Sequence, residues 1–345
     1  MARKILVSGL ALAPLAAVLH WAAGVGDVPV FLVSALALVP LAWLIGEATE
    51  QAAEHTGAAM GGFLNASFGN APELIIALFA VSDGLPDVVR GSITGSIVSN
   101  LLLVLGLALA LTDEEDVDAR TLRSNLMLLI LAVVLFLIPS VPGWHGSPER
   151  HSLAVASVPI AVVLLACYCW QTWRNLRRKR DRKRQPSAES WSLRNALLTL
   201  AFATGLTALV SEILVHALEG FAASAGLSRF FVSAVIVAIV GNAAEHGGAI
   251  VIARRGKIRL ASEIAVSSAA QVALLVTPLV ALLSFAVRPP LPLALRPVEL
   301  ATIAGGALAV GLMLRDRRGT RREGILLLVC YAGAALAYYL SGNRA

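Results

Sequence analysis

Long stretches of apolar residues cover almost the whole chain, and short charged or Pro- and Gly-containing segments separate them. A helix needs about 20 apolar residues to cross a hydrocarbon core that is about 30 Å thick. The pattern therefore predicts an all-α integral membrane protein with eleven transmembrane helices. The predicted spans are residues 5–23, 28–46, 63–82, 91–111, 122–141, 152–173, 194–218, 228–253, 259–286, 293–314 and 324–341.

The composition agrees with this pattern. The 345 residues are 57% hydrophobic and 14% charged, whereas a soluble domain has about 45–50% apolar and about 25% charged residues. A soluble enzyme is therefore excluded, and the lipid bilayer is the expected environment. The formal net charge of +6 does not indicate nucleic acid as a partner, because so few charged residues cannot form a broad basic face.

Lys and Arg residues are distributed unequally between alternate loops. If the N-terminus is cytoplasmic, 22 of the 28 basic residues lie in cytoplasmic segments and 6 lie on the other side. Basic residues in short loops are retained on the cytoplasmic side. We therefore expect a multi-pass protein of a prokaryotic cytoplasmic membrane, with the N-terminus inside and the C-terminus outside.

The densest basic run, RNLRRKRDRKRQ at residues 174–185, lies between the sixth and seventh predicted spans. A role in membrane topology, or in contact with anionic lipids, accounts for its charges at a membrane surface. This midpoint predicts four parts of the chain: an extra N-terminal helix (1–27), a first five-helix repeat (28–173), a basic cytoplasmic linker (174–190) and a second five-helix repeat (191–345).

One motif occurs on both sides of this midpoint, as GNAPELIIAL at residues 69–78 and as GNAAEHGGAI at residues 241–250. Each copy places an acid, Glu73 or Glu245, deep in an apolar span. A carboxylate at the bilayer centre costs at least a few kcal/mol, so such a residue ordinarily faces a polar cavity and belongs to an ion or proton pathway.

The residues before each acid interrupt a helix. Asn70 and Asn242 each follow a Gly, and Pro72 adds a second break in the first copy. Irregular backbone is tolerated inside a membrane where it lines a cavity, and its carbonyl groups can then bind cations. Carboxylate and carbonyl oxygens are the ligands that Ca²⁺ prefers.

The next span in each half carries polar residues four positions apart on one helix face. Ser96 and Asn100 follow the first acid by 23 and 27 residues, and Ser267 and Gln271 follow the second acid by 22 and 26. Because each half has an odd number of spans, the two halves must be inverted relative to each other. Inverted repeats with broken helices that meet at the midplane are typical of secondary transporters.

These residues resemble the calcium/proton antiporter branch of the cation/calcium exchanger superfamily. The resemblance rests on GGFLNASFGNAPELIIALFA (61–80), GSIVSNLLLVLG (95–106) and GNAAEH (241–246), and extends over about residues 28–341. It implies a transporter, not an enzyme, that has Ca²⁺ and H⁺ as substrates and needs no cofactor. It further implies that Glu73 and Glu245 bind Ca²⁺ and protons in alternation, near Asn70, Asn242, Ser96, Asn100, Ser267 and Gln271.

The counter-ion is the main alternative. The sodium-driven exchangers of the superfamily usually carry an additional acid on the polar-stripe helices, where this chain has Asn100 and Gln271. The two neutral amides favour H⁺ as the counter-ion. Na⁺/Ca²⁺ exchange and export of another divalent cation such as Mn²⁺ remain the alternatives.

The basic linker departs from the family pattern, because many members have an acidic segment between the halves.

Three further groups of residues are candidates for proton transfer or for ion entry. His246 directly follows the second acid, where it could relay protons or could be a buried histidine satisfied by its neighbours. Titratable residues at helical spacing extend two spans, where they could line vestibules or could simply be solvated. They are Glu47, Glu50 and Glu54 in the second span, and Glu212, His216 and Glu219 at the outer end of the seventh.

Overall fold

A computed structural model of the protein describes residues 2–21, 24–111, 115–178, 191–287, 289–313 and 318–342, so residues 179–190 of the predicted linker lie outside it. The described helices are α1 (Ala2–Gly9), α2 (Leu12–Trp21), α3 (Asp27–Phe68), α4 (Ala71–Ser82), α5 (Pro86–Val98), α6 (Leu105–Ala110), α7 (Ala119–Gly143), α8 (His151–Arg178), α9 (Leu193–Ala225), α10 (Arg229–Phe231), α11 (Ala238–Gly241), α12 (Ala243–Arg254), α13 (Ile258–Gln271), α14 (Thr277–Val287), α15 (Pro297–Met313) and α16 (Arg321–Gly342). The π-helical segments Ser99–Val104, Val232–Val237 and Val272–Val276 join α5 to α6, α10 to α11 and α13 to α14.

Eight described helical segments are long and apolar enough to span a bilayer by themselves. Arg229–Gly241 and Ala243–Arg254 together form a ninth span, which bends by 59° at its junction. The shorter apolar helices α4 and α15 complete the set. These eleven segments correspond one to one to the predicted spans. The protein is therefore a multi-pass, all-α membrane protein, as predicted.

The helix boundaries differ from the prediction in α3. A break was expected between the second and third spans, at residues 47–62, but α3 continues to Phe68. These residues are rich in Ala and Glu, which favour helix, and contain no Pro. Phe68 packs against a hydrophobic cluster formed by residues of α3 and α9, among them Leu44 and Leu200.

Contacts between loops define two faces of the bundle. On the first, which we name the Asp83 face, Asp83 lies 3.8 Å from His216 near the end of α9. On the second, the Asp118 face, Asp118 and Arg259 form an ion pair of 2.7 Å before α7 and at the start of α13. There the strands β1 (Glu115–Asp116) and β2 (Arg318–Gly319) also pair antiparallel, which connects a loop of each half.

The helices α4 and α12 start from matching interruptions and run in opposite directions. Asn70 (φ −98°, ψ 16°) and Asn242 (φ −91°, ψ 9°), which precede them, share nearly the same backbone conformation. The helix α4 ends beside Asp83, whereas α12 ends at Arg254, next to the Asp118 face. This is the inverted arrangement expected from the sequence. The residue boundaries of the two repeats stay a prediction.

A close helix crossing joins the two halves. Gly91 and Gly95 of α5 lie against the π-helical segment Val232–Val237, and a Cβ on Gly95 would overlap the backbone carbonyl of Ala234. Only a residue without a side chain allows two backbones to approach so closely. The crossing therefore fixes the position of the residues that follow on α5, Ser96 and Asn100, relative to α11 and Asn242.

Candidate functional site

The two predicted acids occupy equivalent positions in the first turns of α4 and α12. The carbonyls of Asn70 and Asn242 accept the first hydrogen bonds of these helices, from Leu74 N (3.1 Å) and His246 N (2.9 Å). Glu73 is 6% exposed, and Glu245 is partly buried. Both carboxylates thus lie near helix N-termini, where the helix dipole favours negative charge.

The Glu73 carboxylate lies against the break in the opposite half. A Cβ on Gly241 would be 3.4 Å from Glu73 Oε1, so this carboxylate contacts the turn that precedes Asn242. Its other oxygen, Oε2, is buried without a hydrogen-bond partner among the described residues. Glu245 lies in the first turn of the helix that begins after this break. Glu73 of the first half therefore lies against the turn that leads to the second acid.

Glu245 has a partner that the sequence analysis did not select. The hydroxyl of Ser268, on α13, donates to Glu245 Oε2. The predicted residue, Ser267, instead accepts a hydrogen bond of 3.4 Å from Gln271 Nε2. The two serines are adjacent, and the helical rotation of about 100° per residue directs them differently. The paired serines at residues 267 and 268 were the available signal, but spacing alone did not distinguish them.

The predicted amides form two hydrogen-bonded pairs that cross between the halves. Asn70 Nδ2 donates to Gln271 Oε1 (2.9 Å), and Asn100 Nδ2 donates to Asn242 Oδ1 (3.2 Å). Asn242 Nδ2 also donates to Ser96 Oγ (2.8 Å). The equivalent pairing of Asn100 and Gln271 with the asparagine of the opposite half supports the alignment of the two polar stripes.

A widened helical turn adjoins each stripe amide. Asn100 lies within the π-helical segment Ser99–Val104, and Gln271 directly precedes the segment Val272–Val276. Directly after the second segment, Thr277 Oγ1 donates to the carbonyl of Val272 (2.7 Å). π-helical turns occur frequently at functional sites, where they alter the direction of a side chain. The two turns give both amides a similar local setting in spite of different sequences.

The site offers oxygen ligands rather than a cluster of classical metal ligands. No group of three or more His, Cys, Asp or Glu residues able to hold a metal ion occurs within the described ranges. Glu73 Oε2 and Asn100 Oδ1 are buried acceptors without a hydrogen-bond partner in the part of the chain that the structure describes. Such unpaired oxygens are costly unless a cation, proton or water satisfies them. Their chemistry suits a hard cation such as Ca²⁺.

The remaining candidate residues lie beside this site, in the middle of α3, or in the second half of α9. His246 is buried beside Glu245, and its Nε2 has no hydrogen-bond partner among the described residues. Glu47, Glu50 and Glu54 lie on α3, near its contact with Trp191, where Gln51 Oε1 accepts from Trp191 N (2.8 Å). The residues on α9 lie at the Asp83 face and are exposed: Glu212, His216 and Glu219.

Two of these exposed residues have charged partners. His216 lies near Asp83, and Glu219 forms an ion pair of 3.1 Å with Arg229. A further acid, Glu299, is fully buried at the start of α15, and the sequence analysis did not select it. Unlike Glu73, Glu299 has a nearby cation, because Arg296 Nε lies 3.6 Å from its Oε1. Its burial therefore belongs to an ion-paired cluster away from the two motifs.

Carboxylates and amides at the junction of inverted broken helices are typical of secondary transporters. The chain belongs to the family described as "Sodium/calcium exchanger protein", whose sequence profile matches residues 27–176 and 195–340. This match confirms the resemblance seen in the motifs. The members of this family are transporters rather than enzymes.

Individual relatives match the chain over nearly its full length. A protein of Aphanothece halophytica named "Ca(2+)/H(+) antiporter" is 34% identical over 93% of this chain and 91% of that protein. "Ca(2+)/H(+) antiporter ChaA" of Bacillus subtilis is also 34% identical, over 97% of this chain and 98% of that protein. The solved structure of native YfkE has a TM-score of 0.83 at 32% identity and covers 99% of this chain and 100% of that one.

Proposed function

We propose that the protein exchanges Ca²⁺ for H⁺ across a membrane by alternating access to a single site. In this proposal Glu73 and Glu245 bind the cation and protons in turn, and Asn70, Asn242, Ser96, Asn100, Ser267 and Gln271 surround them. Two Ca²⁺/H⁺ antiporters at 34% identity over more than 90% of the chain support the substrates. The buried carboxylate of Glu73, which lies against the break that leads to Glu245 in the opposite half, is the observation that carries the mechanism.

The coupling follows from the charge of the site. Two adjacent ionised carboxylates repel each other and lose hydration when the site closes. One divalent cation neutralises both, and so does protonation of both. Only these two states are neutral enough to be enclosed at low cost, so the transporter changes its orientation with Ca²⁺ or with protons bound. Two protons per Ca²⁺ follow if both acids titrate, and the pair then titrates as one coupled system.

The amides favour H⁺ over Na⁺ as the counter-ion. Asn100 and Gln271 occupy the stripe positions where the resemblance places an additional acid in sodium-driven exchangers. Both side chains are engaged with the asparagines of the opposite half, through Asn242 and Asn70. Neutral amides contribute oxygen ligands without adding a third negative charge. The two negative charges of the acids are therefore balanced by two monovalent cations or by one divalent cation. Na⁺/Ca²⁺ exchange and transport of Mn²⁺ are the alternatives to be tested.

Transport in proteoliposomes tests this function directly. The purified protein, reconstituted with a Ca²⁺ indicator inside the vesicles, is expected to take up Ca²⁺ when an outward proton gradient is imposed and Na⁺ is absent. Uptake that requires Na⁺, or uptake that is independent of the proton gradient, would contradict Ca²⁺/H⁺ antiport. Competition by Mn²⁺ under the same gradient measures selectivity among divalent cations.

Variants test the two acids. Glu73→Gln and Glu245→Gln retain size and hydrogen bonding but remove the charge, so each is expected to abolish coupled uptake while membrane insertion is retained. Glu263→Gln is the matched control, because Glu263 lies on α13 near the Asp118 face and pairs with Arg259 at 3.5 Å. Full activity in either of the first two variants would remove the assignment of the site.

We also propose the orientation that the basic residues predict, in a prokaryotic cytoplasmic membrane with a cytoplasmic N-terminus. The Asp118 face is then cytoplasmic and the Asp83 face is external. An alkaline phosphatase domain fused to the C-terminus is expected to be active, because this enzyme folds only outside the cytoplasm of bacteria. An inactive fusion, together with fluorescence from a C-terminal green fluorescent protein, would reverse the orientation.

A further inference from the structure

One face of α8 is exposed from Val162 to Arg177, and its residues change from apolar to aromatic and basic along this length. Its middle part presents Val162 and Val163, which are 53% and 47% exposed. Its last turns present Trp170 and Trp173, which are 56% and 50% exposed, followed by Arg174 and Arg177 on the same face. On another side of the helix, Gln171 Nε2 bonds to Asn125 Oδ1 of α7 (2.6 Å). The stripe thus points away from the bundle.

Each arginine on this stripe lies over a tryptophan. The guanidinium of Arg174 is 5.4 Å from the ring centroid of Trp170, and that of Arg177 is 3.7 Å from the centroid of Trp173. Neither arginine forms an ion pair with a carboxylate within the described ranges. The stacking holds two cations side by side but neutralises neither, because a ring supplies no net charge. The Arg/Trp cluster, residues 170, 173, 174 and 177, therefore retains a double positive charge.

The depth of the cluster matches one leaflet of a bilayer. Val163 and Arg174 are eleven residues apart, which corresponds to about 16 Å along a helix. Half the hydrocarbon core of a bilayer is about 15 Å thick. Tryptophans are enriched at the membrane–water interface, and Arg side chains near helix ends reach towards the headgroups. A phospholipid whose acyl chains lie along the valines would therefore place its phosphate at the two guanidinium groups.

We propose that the Arg/Trp cluster on α8 is a binding site for an anionic phospholipid, with the phosphate between Arg174 and Arg177 and the acyl chains along Val162 and Val163. Guanidinium groups bind phosphate oxygens through paired N–H donors, and the flat tryptophan rings hold these donors in place. A zwitterionic lipid offers the same phosphate but also carries a cationic group. The two arginines repel this group, so the site favours an anionic lipid. The site is distinct from the two acidic motifs.

Lipid selectivity is the property to measure. The full protein is reconstituted in phosphatidylcholine, and phosphatidylglycerol with brominated acyl chains is titrated in to quench tryptophan fluorescence. Brominated phosphatidylcholine provides the reference. We compare the native chain with Arg174→Gln/Arg177→Gln. The matched control is Arg321→Gln/Arg322→Gln, which removes two exposed basic residues from the start of α16, near β2.

The expected result is a selective loss. A basic residue near an anionic surface contributes about 1 kcal/mol, so removal of both is expected to reduce the preference for phosphatidylglycerol by about 30-fold. The control pair should retain the native preference. A native preference in Arg174→Gln/Arg177→Gln would overturn the site, and so would an equal loss in the control pair, since that would indicate a general effect of charge.

Three further measurements keep the result interpretable. Trp170→Leu/Trp173→Leu retains both charges but removes the rings, so a partial loss of preference is expected, measured by lipid retained in native mass spectrometry. Inorganic phosphate alone should not compete with phosphatidylglycerol; effective competition would indicate a phosphate site without a lipid. Because all four side chains are exposed, each variant is expected to fold. Elution at the position of the native protein in gel filtration checks this.

Discussion

Arg90 allows a sharp test of how the buried charges stabilise the fold. It lies in the first turns of α5 and is 3% exposed, and its Nη2 donates to Asp87 (2.8 Å) and to Glu149 (3.0 Å). Arg296 also contacts Asp87, and the fully buried Glu299 completes the cluster. The two arginines and three acids connect α5, the loop before α8, and α15. We consider the replacement Arg90→Met, which preserves an apolar stem but removes the cation.

The expected loss is several kcal/mol. Removal of one partner from a buried ion pair costs about 3–5 kcal/mol, because an uncompensated charge stays buried. After the replacement, Arg296 is the remaining cation beside Asp87 and Glu299, and Glu149 loses its partner. Glu299 is 0% exposed, whereas Glu149 is 47% exposed. Because Glu149 can be hydrated and Arg296 still pairs with Asp87, we expect about 3 kcal/mol, the lower end of this range. The second replacement Glu299→Gln should recover part of it.

Thermal unfolding in one detergent, followed by intrinsic fluorescence, measures this effect. The control is Arg229→Met, which breaks the pair with Glu219 at the same face, where the two side chains are 42% and 66% exposed. An exposed pair contributes about 0–1 kcal/mol, so this control should hardly lower the Tm. Equal Tm values for Arg90→Met and Arg229→Met would refute the reasoning, and so would a further decrease when Glu299→Gln is added.

Two other variants test the geometry of the site. Gly95→Ala should reduce Ca²⁺ transport about tenfold or more, because the new Cβ would displace α5 from Ala234. The control Gly205→Ala, whose Cβ would meet nothing within 4 Å, should transport normally. Equal activities of the two variants would contradict a role for the close crossing. Ser268→Ala should raise the KM for Ca²⁺ about tenfold, since a hydrogen bond to a charged group contributes about 1.5–3 kcal/mol. A larger rise in Ser267→Ala would contradict the contact with Glu245.

The number of spans could be predicted because hydropathy acts locally. Every apolar segment that is long enough to cross a bilayer must satisfy its own backbone, so each becomes a helix wherever it packs. The exact course of the backbone could not be predicted in the same way. The uninterrupted α3 depends on the helix propensity of a segment that looked like a loop, and the π-helical turns beside Asn100 and Gln271 depend on packing between helices.

The site could be predicted in part because the sequence contains it twice. Repetition singled out Glu73 and Glu245, and the stripe spacing singled out the amides that the structure pairs across the halves. Ser268 was missed because adjacent positions on a helix differ by about 100°. The spacing of the two polar stripes does not align them to within one residue, so it could not distinguish Ser268 from Ser267. Glu299 was missed because it lies at the edge of a span, where an acid is usually solvated.

The sequence by itself determined that this protein lies in a lipid bilayer. It also determined the number of its spans, their inverted repetition and its family, because these follow from local hydropathy and from motifs. The tertiary structure decided which side chains meet. It brought Glu73 to the break at Gly241 in the opposite half, and it placed Ser268 rather than Ser267 on Glu245. The physical reason is that contacts between side chains of different helices depend on helix rotation and close packing, which no local pattern specifies.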